Sequence, residues 1–516
     1  MLPLTELKLS TVFVILTVIT YIFYLIKRKY DYWSKRSVTH VGFSGDVMFN
    51  LSKHRSYFFK DLYRNFQNKP FVGFYQFGQP HILVRDLELI KLVLIKQFSH
   101  FTDHHLGPFG NDPLLVNSLF HLKGQRWKVI RAKLSPIFTS GKLRHMTGLL
   151  NVCVTMLDKH LERTLAESGG EIEMRDVTLK FAMDVIGVCA FGLNCNAIES
   201  EDSEFRQIMR KVGSAPTLKL YLILFLDIIH PKITEVLKIR FSNPEFDEFF
   251  YSLADQALKH RSDTETRRDD FVQLLMEVRE EERKLIKSQN QNEIEPLFTD
   301  DVIAANIWVI FTAGWDTVGT TTSYCMYELA LHPDLQEKLF EEIKEVQDKN
   351  GGQCTYDVLK QMHYLDCVVN ETLRLHPNLP SLDRVCTKPC NIPESSLIIE
   401  ENMNIIVPIQ ELHLDPEYWP DPERFDPERF NEQNKSNIVP GSYIPFGDGP
   451  RMCIGNRFAL MVMKAFLAFI VRKYSVHPTA KTDIPITLDP KFMTNTPKHG
   501  IHLRFQKRDD LCARKL

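Results

Sequence analysis

Phe446-Gly447-Asp448-Gly449-Pro450-Arg451-Met452-Cys453-Ile454-Gly455 is the stretch whose reading decides the fold. One cysteine stands among glycines and a proline, two positions after an arginine, and an amphipathic run from Arg457 to Tyr474 follows directly. Glycines permit close backbone approach and positive φ, proline stiffens a loop, and a helix starting just past the cysteine turns its positive end toward the sulfur, favouring thiolate. Such a loop suits a flat group packed against its backbone with one sulfur aimed at it. A buried, inert cysteine beside a turn is the plainer reading, but it does not call for the fixed identities of F-x-x-G-x-R-x-C-x-G.

Upstream, polar residues recur where an apolar helix would do without them. Glu371-Thr372-Leu373-Arg374 sets a carboxylate and a guanidinium at i and i+3, a pair worth roughly a few tenths of a kcal/mol when exposed. Thr299-Asp300-Asp301 opens a long apolar run, with Asp301 and its neighbours placed for an N-cap. The middle of that run reads Ile310-Phe311-Thr312-Ala313-Gly314-Trp315-Asp316-Thr317-Val318-Gly319-Thr320. A mid-helix Gly costs about 1 kcal/mol against Ala and an unpaired buried carboxylate costs more, so functional demand is the simplest account. A small Ala313-Gly314 pair makes room for a diatomic ligand, and Thr317 can hold water beside it; the bland alternative has Thr317 bonding the carbonyl four residues earlier. Farther upstream, Trp127 and Arg131 share one helix face at i and i+4, which on its own reads as a cation over an indole.

In this order the motifs resemble those of the cytochrome P450 superfamily, over about residues 55 to 505. The texture around Gly141-Lys142-Leu143, Arg268-Asp269-Asp270-Phe271 and Met493-Thr494-Asn495-Thr496 is similar to the insect microsomal branch, which is associated with oxidising plant toxins, insecticides and endogenous lipophiles. The resemblance implies a mainly α fold with small β-sheets (α+β), as a single triangular helical domain behind an N-terminal membrane anchor. It implies haem b with the Cys453 thiolate as proximal iron ligand, O2 as cosubstrate, and NADPH electrons from a separate NADPH-cytochrome reductase, with cytochrome b5 as a further partner.

By the same resemblance, Trp127, Arg131, Arg384 and Arg451 hold the haem propionates, and Ala313, Phe446 and Gly455 border the haem. Asp316 and Thr317 relay protons to the reacting oxygen, where Val318 departs from the family's frequent Thr or Ser. Glu371, Arg374 and Arg429 form a buried scaffold. Pro-Glu-Arg-Phe occurs twice, and counting from Trp419 selects the second copy; Arg424 in the first is the fallback. Phe109, Phe120, Phe311, Leu379 and Thr494 join Ala313 and Thr317 in the substrate pocket. These are apolar or weakly polar, with no fixed charge, which points to a lipophile. Lys123, Lys128, Lys133 and Arg457 form the expected reductase-docking patch.

The 516 residues carry 63 Lys plus Arg against 65 Asp plus Glu, a balance that argues against a nucleic-acid partner. Leu9 to Ile26 is uncharged and, at 1.5 Å per residue, spans about 27 Å, the hydrocarbon thickness of an endoplasmic reticulum bilayer. Lys27, Arg28, Lys29, Lys35 and Arg36 follow it, so the positive-inside bias leaves the large domain in the cytosol. The expected organisation is an anchor with basic flank over 1–30, a linker over 31–54, the catalytic domain over 55–505 and a tail over 506–516. No proline lies between Pro3 and Pro70, so the usual stiff proline-rich hinge is missing. Leu218 to Leu226 is apolar enough to roof the pocket and dip into the bilayer. The ten cysteines show no CxxC or zinc spacing and are expected to stay reduced. Two rivals stand beside the monooxygenase reading: a reductase-independent haem-thiolate isomerase or dehydratase, which usually lacks the acid-Thr pair, and a non-enzymatic haem-dependent lipophile sensor.

Overall fold

The structure, a computed structural model, describes residues 9–105, 107, 109–212, 219, 222–226, 230, 232–264, 267–288, 296–393 and 397–508. It is helix-rich with small sheets, as the sequence predicts. The strands are β1 (Phe71–Gln76), β2 (Gln79–Val84), β3 (Glu171–Glu173), β4 (Leu382–Val385), β5 (Cys390–Asn391), β6 (Ile398–Ile399), β7 (Asn404–Val407), β8 (Tyr474–Pro478) and β9 (His502–Lys507). The larger sheet runs β1-β2-β7-β4, with β2 parallel to β7 and the other pairs antiparallel. Its first hairpin turns on Phe77 and Gly78, both at positive φ (51° and 70°), the backbone a two-residue hairpin demands. The second sheet, β3-β9-β8, carries the chain two residues past the expected domain end, because β9 runs through Lys507; residues 509–516 of the expected tail lie outside the described residues.

Asp300–Leu331, the distal helix, is the long central element. By length and composition it could cross a bilayer, yet most of it is buried core. Thr299, rather than Asp301, is its N-cap, accepting from Val302 N at 3.3 Å; Asp301 instead accepts from the Tyr251 hydroxyl at 2.8 Å. The helix packs on Met174–Ile186, Pro244–Thr264 and the proximal helix, Asn456–Lys473. Two of its glycines serve that packing: a Cβ on Gly319 would meet the Leu179 side chain at 2.7 Å and its backbone N at 3.1 Å, and one on Gly314 would meet Ile186 Cδ1 at 2.9 Å.

At the other end, Leu9–Tyr30 is a single helix with Lys27, Arg28 and Lys29 in its last turn. Phe13, Val14, Leu16, Val18, Tyr21 and Tyr24 lie exposed on it. The stretch after it, expected as a linker, is packed. Trp33 is fully buried, donates its indole N–H to Phe74 O at 3.1 Å, and lies where a side chain at Gly73 would fall, its ring 2.7 Å from that Cβ position. Tyr30 and the Phe77 and Gly78 amides all bond the buried Asp46 carboxylate. Of the 218–226 roof, Ile223 and Leu224 are buried and Leu222 and Phe225 exposed; residues 218, 220 and 221 lie outside the described residues.

Candidate active site

The cysteine loop is set by its glycines. Gly447 and Gly449 adopt φ of 74° and 71°, and a Cβ on Gly449 would fall 2.0 Å from Leu94 O, so no other residue fits there. Asp448 Oδ1 accepts from Gly449 N at 2.7 Å, and Cys453 N donates to Phe446 O at 2.9 Å, closing the loop just before the proximal helix begins at Asn456. Cys453 remains open to a solvent-sized probe. Protein nevertheless surrounds the sulfur, and burial pushes its thiol up while the Gly455 amide and Arg131 pull it down.

Arginines converge around this loop. Arg451 donates to Thr102 O, Phe120 O and Leu122 O, and its guanidinium lies 4.0 Å over the Trp127 ring. Arg131, expected on that indole face, instead donates to Met452 O at 2.7 Å. Arg384 is buried on β4 and donates from Nη1 to Asp383 O, while its Nε has no partner. Burial pushes Arg384 down to about 10. Burial, and next the facing charge of Arg384, push Arg451 down to about 9, only partly offset by Asp103 at 3.8 Å. The two buried cations repel each other, and Arg384 keeps an orphaned donor while Arg451 has Asp103 at 3.8 Å.

The distal helix is buried almost throughout, apart from a window from Thr312 to Thr317 in which Ala313 is exposed. Gly314 faces Ile186, so the room in that window is made by Ala313 alone, a correction to the expected Ala-Gly pair. Thr317 Oγ1 donates to Ala313 O at 2.6 Å, the bland alternative for this hydroxyl, leaving its lone pairs to accept from a neighbour. Asp316 is held by Arg175, whose Nη2 donates to Oδ1 at 2.8 Å and whose Nε donates to Thr320 Oγ1 at 3.2 Å. Arg175 comes from a helix distant in sequence, and nothing in the local pattern singles it out. Val318, the departure from the family pattern, is buried.

Beneath the cysteine loop, Glu371 and Arg374 are both fully buried and joined through two bonds of 2.7 Å. Arg374 spends its remaining N–H groups on His413 O, Pro422 O and Arg424 O, and Asp426 N donates to Glu371 at 2.8 Å. Arg429 approaches Glu371 at 3.4 Å, near enough for an ion pair but not aligned as a hydrogen bond. Arg424 enters only through its carbonyl, so the choice of the second Pro-Glu-Arg-Phe copy stands.

Residues 45–503 match the family model described as "Cytochrome P450". The chain belongs to the cytochrome P450 family. Among its relatives, "Probable cytochrome P450 6a13" of Drosophila melanogaster is 38% identical over 506 residues, covering 96% of this chain and 99% of that protein. "Cytochrome P450 6k1" of Blattella germanica is 36% identical over 510 residues, covering 95% of each, and "Probable cytochrome P450 6a14" of Drosophila melanogaster is 35% identical over 492 residues. The likeness to the insect branch expected from the sequence therefore holds.

This cytochrome P450 is a haem-thiolate monooxygenase, and haem iron is its family cofactor. The residues fit that group on their own terms: Arg384, with its orphaned Nε, and the facing cation Arg451 suit propionates, and the exposed Cys453 stands just before a helix. Of the expected pocket residues, Phe120 is 43% exposed and stacks on His104 with centroids 4.2 Å apart. Leu379 is exposed, and Phe109 is half-buried against Phe241. Thr494 is half-buried, its carbonyl 3.0 Å from the His54 ring. Phe311 is the exception. It is fully buried among Phe191, Phe205 and Phe250 and lines no cleft, because it sits on the side of the distal helix turned to an aromatic cluster.

Proposed function

We propose that the protein is a microsomal monooxygenase, anchored by Leu9–Tyr30 in the endoplasmic reticulum membrane with its catalytic domain over about 55–505 facing the cytosol. It inserts one atom of O2 into a lipophilic small molecule, using NADPH electrons from a separate NADPH-cytochrome reductase, with cytochrome b5 as a further donor. The observation that carries the reading is an exposed Cys453, in a loop only glycine can form, together with an exposed Ala313 in the middle of a largely buried helix, next to Asp316 and Thr317.

When bound, haem supplies the activation of dioxygen. The chain supplies the rest. Cys453 offers a sulfur at the positive end of the proximal helix, which favours the thiolate. Trp127, Arg131, Arg384 and Arg451 fix the propionates, and Phe446 and Gly455 bound the proximal face. Ala313 leaves the space beside the distal helix. Thr317, its own proton committed to Ala313 O, accepts from a water and holds it in that space. Asp316, kept in place by Arg175, is the carboxylate that accepts a proton from solvent and passes it to such a water. Phe109, Phe120, Leu379 and Thr494 shape the lipophile's berth. Lys123, Lys128, Lys133 and Arg457 make the docking patch, within which Lys133 also pairs with Glu281 at 2.9 Å.

The test is purified full-length protein, reduced with dithionite and treated with carbon monoxide, then reconstituted with reductase and NADPH. A thiolate-type Soret band that Cys453→Ala abolishes, with ligand-stimulated NADPH consumption, is expected. A native protein without that band, or turnover driven by a lipid hydroperoxide with no need of NADPH, would overturn it.

A further inference from the structure

The chain that leaves the N-terminal helix folds back onto the hairpin of β1 and β2, held by Trp33 on Phe74 O and by Tyr30 and the hairpin amides on Asp46. A cavity of about 240 Å³ is lined by both the last turn of that helix and the hairpin tip, far more than the ~15 Å³ that admits one water. Four cations, Arg28, Lys29, Lys35 and Arg36, line it together with Gln79 of the hairpin, and its wall holds no acid. Orienting a membrane helix calls for basic residues after it but for no particular shape, so the cavity needs a further account.

Two acids reach its cations from outside. Glu400 takes Arg36 at 2.6 Å and the Tyr32 hydroxyl at 2.8 Å, and the Arg36 guanidinium lies 3.7 Å over the Tyr32 ring, which fixes that side of the cavity as a wall. Asp31 comes only within 3.9 Å of Lys35, their side chains 48% and 63% exposed, a pair worth little in water. No hydrogen bond or ion pair engages the Arg28 guanidinium or the Gln79 side-chain amide among the described residues. A second recess, of about 130 Å³, shares Arg36 and adds Lys69, again with no acid in its wall. The surface is one that an anion completes.

Position says which anion. The uncharged run ends at Ile26, and Arg28 follows about 3 Å along the helix axis. With that run in the hydrocarbon, the cavity opens among the headgroups of the cytosolic leaflet, where basic clusters attract anionic lipids. Exposed aromatics agree. Phe43 and Phe49, each 50% exposed, meet edge-on with centroids 4.9 Å apart, and Phe43 meets the Tyr30 ring at the same distance. Aromatic rings beside cations suit the membrane–water boundary.

We propose that this cavity is a binding site for the phosphate-bearing headgroup of an anionic phospholipid, one lipid docked where the anchor meets the first sheet. The proposal rests on the anchored reading.

The experiment uses full-length holoprotein in non-ionic detergent, where there is no charged bilayer surface, titrated separately with short-chain phosphatidylserine, short-chain phosphatidylcholine and inorganic phosphate, with bound ligand read by native mass spectrometry. Arg28→Gln, Gln79→Glu and Lys27→Gln each make the net charge more negative by one, and Lys27 does not line the cavity. A site predicts that Arg28→Gln and Gln79→Glu bind phosphatidylserine about tenfold more weakly, while Lys27→Gln stays within about twofold of wild type. Equal loss in all three variants, which is diffuse attraction to the basic flank, overturns the site, as does no loss in any. Phosphatidylcholine or inorganic phosphate bound as tightly as phosphatidylserine overturns the anionic-lipid assignment. Failure of the anchored reading shows separately, as wild type washed from membranes by alkaline carbonate.

Discussion

Arg374 and Arg384, both fully buried, stand in two kinds of polar interior. Beneath the cysteine loop every N–H of Arg374 has a protein acceptor, both oxygens of Glu371 are used, and nothing is left to offer a ligand. Elsewhere, Arg384 Nε has no partner, and Thr317 has given its proton to Ala313 O and keeps its lone pairs. A closed network stabilises the chain by itself, whereas an open one is complete only when something binds. The filled network is scaffold, and we propose that the open groups belong to the site, although both are built from the same residue types.

Breaking the closed network gives the largest expected effect. Arg374→Met strands a buried carboxylate and is expected to cost about 3–5 kcal/mol, read as loss of thermal stability and of haem together. On the open side, Asp316→Asn keeps an acceptor for Arg175, so the fold and the thiolate-type band survive while kcat falls about 10²-fold, measured in the reductase-reconstituted system. A fall in stability to match would make Asp316 scaffold and erase the contrast.

The glycines sharpen the comparison at smaller scale. Gly319→Ala meets the Leu179 backbone and is expected to cost about 3 kcal/mol, whereas Gly314→Ala meets only the end of Ile186 and costs about 1 kcal/mol. If Gly314 serves helix packing, adding Ile186→Val restores melting temperature and turnover alike; turnover that stays low would return Gly314 to the cleft.

Smallest is a pH effect away from both regions. Burial raises Glu411 from 4.5 to about 7 despite Arg64 at 3.8 Å. The native state binds this proton more tightly than the unfolded chain, so the stability it contributes is full below 4.5 and is lost as pH rises through about 7. Glu411→Gln is expected to flatten that part of the profile of melting temperature against pH.

Much of the closed side was legible in the sequence because its chemistry is local. A Glu and an Arg one helical turn apart, or glycines spaced around a cysteine, carry their geometry in their spacing. The open side was less so. Arg175 reaches Asp316 from 141 positions away, and Arg384 is notable for a partner its Nε does not have. Phe311 and Gly314 show the same limit: a 3.6-residue repeat says which residues share a face, not whether that face meets a cleft or a neighbouring helix. Thr299 and Asp301 could both cap on composition, and only the backbone decides. The buried indole that packs in the stretch read as a linker comes from Trp33, which nothing in the local pattern singles out.

That indole bears on where the protein feeds. With Trp33 wedged against Gly73 and Tyr30 tied to Asp46, the end of the N-terminal helix is keyed into the first hairpin and cannot swivel freely against it. If that helix spans a bilayer as proposed, the catalytic body stands on a stiff mast rather than a tether, and a lipophile dissolved in the membrane would meet it at one fixed height.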